Sequence, residues 1–472
     1  MPRISQRLLR AWVDLGPRFL PFADVATPDL PLSRLLRLSL FQVSVGMALV
    51  LLIGTLNRVM IVELGVPASL VAVMLALPLL FAPFRALIGF RSDTHRSELG
   101  WKRVPFIWQG TLVQFGGLAI MPFALLVLSG AGESSRAPVW IGQLGAGLAF
   151  LLVGAGLHTT QTVGLALATD LAPAESQPKV VGLMYVMLLV GMIVSALVFG
   201  SVLVNFTAGK LVQVIQGAAL VTMILNVIAL WKQESRRPTR TLGTVPRRQP
   251  AFRDSWNSFS HGDSALRRLV SVGLGTMAFS MEDVLLEPYG GQILHLTVGS
   301  TTRLTATLAL GGLLGFGLAS RVLSRGFDPF RMASIGALVG VPAFMAVILA
   351  APFDSTLLFG FGTLLIGFGG GLFGHGTLTA TMNLAPADQR GLALGAWGAV
   401  QASAAGIAVA LGGILRDLVA HEYAGAGSLA SATLAGSVRG YTFVYTTEIV
   451  LLFATMIAMA PLIRRLRQPV PA

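Results

Sequence analysis

The stretch Ala278-Phe-Ser-Met-Glu-Asp-Val-Leu-Leu-Glu-Pro-Tyr-Gly-Gly291 carries three carboxylates, Glu282, Asp283 and Glu287, inside what otherwise reads as a membrane-spanning helix. Read as one helix, it places Asp283 and Glu287 one above the other on a single face, with Glu282 about 100° round. A carboxylate at mid-bilayer costs roughly 2.5–3.5 kcal/mol on insertion scales, so the face that bears them is expected to meet protein or water. Such a group can bind a cationic or metal-bearing ligand or carry a proton; the competing reading is helix capping and pairing with basic residues between helices. Arg85 and Glu448 are further charges within apolar spans. Arg85 is a natural partner for a buried carboxylate, or else snorkels to the headgroups. His158 and His375 lie at comparable levels of two other spans, where imidazole can ligate a chlorin magnesium or simply bond between helices. Gln161 and Thr159, Thr160 and Thr162 are ready partners for the second role of His158.

The elements that must position these groups are membrane helices. Of 472 residues, 54% are hydrophobic and 12% charged, and mean hydropathy is +0.75, whereas soluble domains carry about 25% charged residues. The absence of cysteine excludes disulfides, thiolate metal sites and S-acylation. No cleavable signal peptide is expected, because the first long apolar run begins near Leu38 and lacks a small-residue cleavage site.

Apolar runs long enough to cross about 30 Å of hydrocarbon recur near 38–57, 68–90, 104–128, 139–165, 180–203, 211–231, 267–289, 300–320, 330–350, 355–382, 391–414 and 441–463. The expectation is an all-α membrane protein with twelve transmembrane helices in two six-helix halves. Its segments are a 1–37 N-terminal piece, a 38–231 bundle, a basic 232–266 linker, a 267–463 bundle and a 464–472 tail. The N-terminal piece, with Arg3, Arg7, Arg10 and Arg18 among Leu8, Leu9, Trp12 and Val13, reads either as an interfacial helix on anionic lipid or as a basic tail. If the N-terminus is inside, 27 of the 34 Lys and Arg residues fall on inner segments, which predicts cytoplasmic termini and makes the +13 net charge topological rather than a nucleic-acid signal. Leu171-Ala-Pro-Ala-Glu175 after the fourth span and Leu384-Ala-Pro-Ala-Asp388 after the tenth suggest duplication.

Gly89-x-x-x-Asp93, followed by Arg96, Gly100, Lys102 and Arg103, resembles the signature loop between the second and third helices of the major facilitator superfamily. This loop is longer than the usual pattern, and the second-half copy has Arg321 where Asp is the family norm. The resemblance narrows with Asn57-Arg-Val-Met-Ile-Val-Glu-Leu-Gly-Val-Pro67, Ala82-Pro-Phe-Arg-Ala-Leu-Ile-Gly-Phe-Arg-Ser-Asp-Thr-His-Arg96 and Asp283-Val-Leu-Leu-Glu-Pro-Tyr-Gly-Gly291. Together these are similar to the PucC/LhaA family of bacteriochlorophyll delivery proteins, from about Leu35 to the last span.

That resemblance implies a membrane factor for assembly of the core or peripheral light-harvesting antenna, with bacteriochlorophyll as cargo. It implies antenna α and β polypeptides as partners, with bacteriochlorophyll synthase and the membrane insertion machinery as further ones. It also implies residence in the bacterial inner or intracytoplasmic photosynthetic membrane. The alternatives are a secondary transporter of a small solute or proton, suggested by the facilitator-type loop and the carboxylates, and a scaffold that touches no pigment. No enzyme is expected, since no catalytic triad, phosphate loop or free-metal ligand spacing is present. Gly369-Gly-Gly-Leu-Phe-Gly374 matches a nucleotide-binding pattern but lacks a preceding strand, so it reads as helix packing, like Gly311-x-x-x-Gly315 and Gly391-x-x-x-Gly395.

Overall fold

Twelve principal helices make up most of the described chain in a computed structural model, which describes residues 30–80, 88, 91–92, 101–130, 136, 138–173, 176–234, 264–384, 390–424 and 429–465. They are α1 (Leu32–Glu63), α2 (Ala68–Leu80), α3 (Val104–Ser129), α4 (Val139–Leu171), α5 (Gln177–Val202) and α6 (Ala208–Leu230). The second set is α7 (Ala265–Gln292), α8 (Val298–Leu323), α9 (Pro329–Ala350), α10 (Thr356–Leu384), α11 (Arg390–Ala424) and α12 (Leu429–Arg465). Eleven of them are long and apolar enough to cross a membrane, and α2 is a shorter apolar helix over its described residues. In hydrocarbon only a helix or a closed barrel satisfies every backbone polar group internally, which is why runs this apolar form helices rather than open sheets.

Local chemistry starts several helices where the hydropathy does. The Asp328 carboxylate accepts from the amides of Phe330 (2.8 Å) and Arg331 (3.3 Å), and Pro329 occupies the first turn of α9, where its missing N–H costs nothing. Thr207 and Thr297 cap α6 and α8 by accepting from Lys210 and Ser300. Gly130 ends α3 in the left-handed conformation at φ 62°.

The packing repeats at an offset of six helices. Within the first set α1 packs on α5 and α6, α3 on α4 and α6, and α2 on α4; the second set shows α7 on α11 and α12, α9 on α10 and α12, and α8 on α10. Between the sets, α2 packs on α11 and α5 on α8, which is the same pair with the halves exchanged. The α8–α10 contact is the tightest of these approaches: a Cβ on Gly311 would lie 2.0 Å from the Leu364 carbonyl oxygen, and one on Gly315 would lie 2.2 Å from that of Phe368. These glycines therefore serve helix approach, as the spacing suggested. Gly369 likewise lies within α10 and faces the Gly336 backbone of α9.

Three expectations change. The first span is not 38–57 but Leu32–Glu63, with π-helical turns at Val50–Leu56 and Val59–Glu63. Its extension takes in Arg58, expected on an outer segment but only 3% exposed, because Glu63 and the Leu296 carbonyl supply its partners. The last two spans are longer than their apolar cores, since α11 and α12 run on beyond 391–414 and 441–463. The seventh span is broken, as described below. The N-terminal segment to residue 29, Arg85, Gly89, Asp93, Arg96 and Gly100, most of the linker (235–263) and the tail beyond 465 lie outside the described residues.

Replacing Gly311 by Val should force α8 and α10 apart and lower stability by about 1–3 kcal/mol or more, measured as a fall in melting temperature of the detergent-purified protein. Gly360, with nothing within 4 Å of an added Cβ, should accept Ala with little change.

Candidate functional site

The polar stretch of α7 does not continue as one helix. An α-helical segment, α7a (Ala265–Ala278), ends at Phe279; a single 3-10 turn covers Glu282–Val284; and a short segment, α7b (Leu286–Gln292), follows. Pro288 explains part of the break. In an unbroken helix its ring would collide with the Val284 carbonyl, which it also could not bond. Opening the turn moves that carbonyl away, and the Asn57 amide of α1 donates to it and to the Asp283 carbonyl, both at 3.3 Å. The freed Glu282 amide is taken by α12: it donates to Glu448 Oε1 at 2.7 Å. Backbone groups that the sequence itself cannot pair within the helix are thus paired by side chains of other helices.

Glu282 is 2% exposed and Glu448 is wholly buried. The second oxygen of each carboxylate has no hydrogen-bond partner, and neither has the wholly buried Tyr445 hydroxyl. Tyr441, Tyr445 and Glu448 lie at i, i+4 and i+7 on α12 and so form one stripe toward α7. Tyr289 of α7b meets the rings of Tyr441 and Tyr445 edge-on at 5.3 and 5.6 Å, and its hydroxyl donates to the Val347 carbonyl of α9 at 3.0 Å.

Glu287 occupies a separate niche. The Thr305 hydroxyl of α8 donates to its Oε1, and Gly54 of α1 leaves the space, since a Cβ there would stand 2.6 Å from that oxygen. Beyond it Arg58 donates to Glu63 and, at 3.0 Å, to the Leu296 carbonyl. Arg416 of α11 bonds Asp417 (2.7 Å) and Gln292 (2.7 Å) and lies over the Tyr441 ring at 4.8 Å. Asp417 accepts the Ser69 amide at the start of α2 at 2.7 Å.

The expected shared face of Asp283 and Glu287 is therefore corrected. With the helix broken between them, Asp283 is half-buried on the 3-10 turn, while Glu287 points into the α1–α8 niche. Glu448 joins Glu282 instead. His375 is half-buried on α10 with its ring 4.2 Å from that of Phe316 on α8, and its Nδ1 has no partner. His158 is half-buried on α4, where its helix packs on α3. Of the facilitator-type loop, Lys102 and Arg103 are described. The Arg103 Nε donates to Asp170 at the end of α4 (3.0 Å), Lys102 pairs with Asp170 at 3.8 Å, and the amides of Lys102, Arg103 and Val104 all donate to Glu234 after α6. Among the described residues no three His, Cys, Asp or Glu side chains are grouped to hold a metal ion.

Sequence reasoning missed Asn57, Arg58, Thr305 and Tyr445 as members of this region. The α12 stripe was readable as a spacing, and Asn57 and Arg58 open one of the distinctive strings, but nothing local connects them to α7. Removing the Asn57 donor tests this pairing. Asn57→Leu should cost about 1–3 kcal/mol, because two buried carbonyls lose their partner, and Asn57→Asp should cost more by setting acceptors against acceptors; melting temperatures of the purified variants decide it.

Comparison with known proteins gives the site its context. The model of the PUCC protein family matches residues 55–466. Protein PucC of Rhodovulum sulfidophilum is 64% identical over 422 residues, covering 89% of this chain and 92% of that protein. The bacteriochlorophyll synthase 44.5 kDa chain of Rhodobacter capsulatus is 27% identical over 395 residues, covering 82% of this chain and 88% of that protein. Among solved structures, a bacterial homologue of the human lysosomal transporter Spinster, inward-facing and occupied, superposes with a TM-score of 0.67 at 15% identity, over 93% of this chain and 98% of the other. That likeness shows a major-facilitator fold. The family match over residues 55–466, with 64% identity to a Protein PucC across 89% of the chain, means that this chain belongs to the PucC family.

Proposed function

We propose that the protein is a membrane assembly factor for the purple-bacterial light-harvesting antenna, delivering bacteriochlorophyll to antenna polypeptides, of the core or the peripheral complex, as they assemble. The observation that carries this reading is membership of the PucC family over residues 55–466, and the similarity to a chain named for bacteriochlorophyll synthase supports a pigment connection. The protein makes and breaks no bonds in this role; its partners are the antenna α and β polypeptides, with bacteriochlorophyll synthase supplying pigment and the insertion machinery supplying the polypeptides. It sits in the inner or intracytoplasmic photosynthetic membrane with both termini cytoplasmic.

A residue whose chemistry suits a magnesium-bearing ring is His375. Tyr185 of α5 and Phe316 of α8 stand 6.4 Å apart across the contact between the halves, and His375 adjoins Phe316. The His375 Nδ1 is buried without a protein partner, so an imidazole–magnesium bond would form only when α8 and α10 part.

A second reading, a secondary transporter of a small solute or proton, is favoured by the broken α7, since discontinuous helices at the junction of repeats form the binding sites of many transporters. Mild-detergent purification distinguishes the two. Copurified bacteriochlorophyll that falls severalfold in His375→Leu, with protein level unchanged, supports delivery; solute uptake in liposomes that is lost in Asp283→Asn supports transport. A clean deletion should lower assembled antenna while pigment synthesis continues, and normal antenna without a redundant relative would overturn the assembly role. For orientation, a cysteine at Phe353 between α9 and α10 should react with an impermeant periplasmic reagent, and one at Arg325 between α8 and α9 should not.

A further inference from the structure

We propose that the break in α7 is a binding site for one small monovalent cation, a proton or a sodium ion, held between the carboxylates of Glu282 and Glu448 beside the Tyr445 hydroxyl. The Glu282 amide donates to Glu448 Oε1 at 2.7 Å, which sets the Glu448 carboxylate against the turn that bears Glu282. Glu282 Oε2, Glu448 Oε2 and the Tyr445 hydroxyl are three buried oxygens without a partner, on residues no more than 2% exposed. Tyr445 stands one turn before Glu448 on the same face of α12, steered by the edge-on ring of Tyr289. Among the described residues no basic side chain forms an ion pair with either carboxylate. Arg58 is committed to Glu63 and the Leu296 carbonyl, and Arg416 to Asp417 and Gln292.

Two ionised carboxylates side by side in a water-excluded site have each lost their hydration and repel one another, so the native packing requires a compensating positive charge. A proton supplies it by neutralising one of the carboxyl groups; a sodium ion would supply it by accepting lone pairs from the unpartnered oxygens. The other titratable groups on the packed elements are Asp283 on the same turn, Tyr289 on α7b and Tyr441 on α12, whose rings meet beside Tyr445, Glu287 in its α1–α8 niche, Arg58 of α1 on Glu63, and Arg416 of α11 on Asp417 and Gln292. The described part of α2 contributes none, and Arg331 of α9 lies at the opposite end of that helix. Since Glu448 also holds the Glu282 amide, loss of the cation sets like charges across the joint between α12 and α7 and favours its opening. The site goes beyond the assembly role and stands whether or not a solute is moved.

The test needs no pigment. The full-length protein in detergent is melted across a pH series at fixed sodium and across a sodium series at fixed pH, beside Glu448→Gln and Glu282→Gln. The first of these variants keeps an acceptor for the Glu282 amide while removing a charge. The wild type should lose melting temperature as the cation is withdrawn, and each variant should lose that dependence. Dependence on pH alone identifies the proton, and dependence on sodium alone identifies sodium. A wild type insensitive to both, or variants that keep the full wild-type dependence, overturns the site. Should Glu448→Gln fail to accumulate, Glu282→Gln leaves the amide contact intact and carries the comparison. Should neither accumulate, infrared difference spectra of the wild type decide, and the absence of any carboxyl change in both series overturns the proposal.

Discussion

A backbone buried in hydrocarbon has no water to bond, so each amide and carbonyl released by a helix break must find a partner inside the protein. Much of this structure's polar interior follows from that constraint at one place, the break in α7. Glu448 reaches from α12 to the Glu282 amide, and Asn57 reaches from α1 to the Asp283 and Val284 carbonyls. The break in turn relieves Pro288 and turns Glu287 into the contact of α1 with α8, where Gly54 leaves it room and Thr305 donates to it. Buried carboxylates are costly, and for Glu448 the cost is tied to backbone pairing that an apolar residue could not supply.

The same region joins the two halves. Thr55 meets Thr302 at 3.3 Å, Asn57 meets the α7 break, Arg58 meets Leu296, and Ser69 meets Asp417. All of these contacts fall near the end of α1 or the start of α2. At the opposite end, the contacts of Lys102 and Arg103 with Asp170 and Glu234, and of Arg34 with Gln233, bind the first half to itself. Between these ends, α5–α8 and α2–α11 close the lateral seams. A cation-sensitive joint at α7–α12 would therefore lie beside the point where the halves are held together.

The helical architecture was legible because crossing a membrane is a property of a segment's own composition. Runs such as 104–128 and 330–350 meet their helices, Val104–Ser129 and Pro329–Ala350, within a residue, and caps such as Asp328 with Pro329 mark where they begin. The polar stretch at Glu282 to Glu287 could likewise be singled out, since charges are rare in such a span. Its geometry could not. The expectation of one continuous face failed because Pro288 and its acidic neighbours favour a break only if distant partners exist, and helical periodicity carries no information about them.

What the sequence by itself determined is the apolar runs that become spans, the family, and the charged residues, Glu282, Asp283, Glu287 and Glu448, that must be shielded from lipid. Only the tertiary structure decided what they meet and which other polar groups join across the bundle. Glu282 and Glu448 are 166 positions apart, Asn57 and Asp283 are 226 apart, and Thr55 and Thr302 are 247 apart. Hydropathy sums a segment's transfer from water to lipid, residue by residue, whereas these contacts depend on how helices are rotated and how closely glycines such as Gly54 let them approach. That information arises when the bundle packs, because a buried polar group is satisfied by whichever neighbour the packing brings within hydrogen-bonding distance.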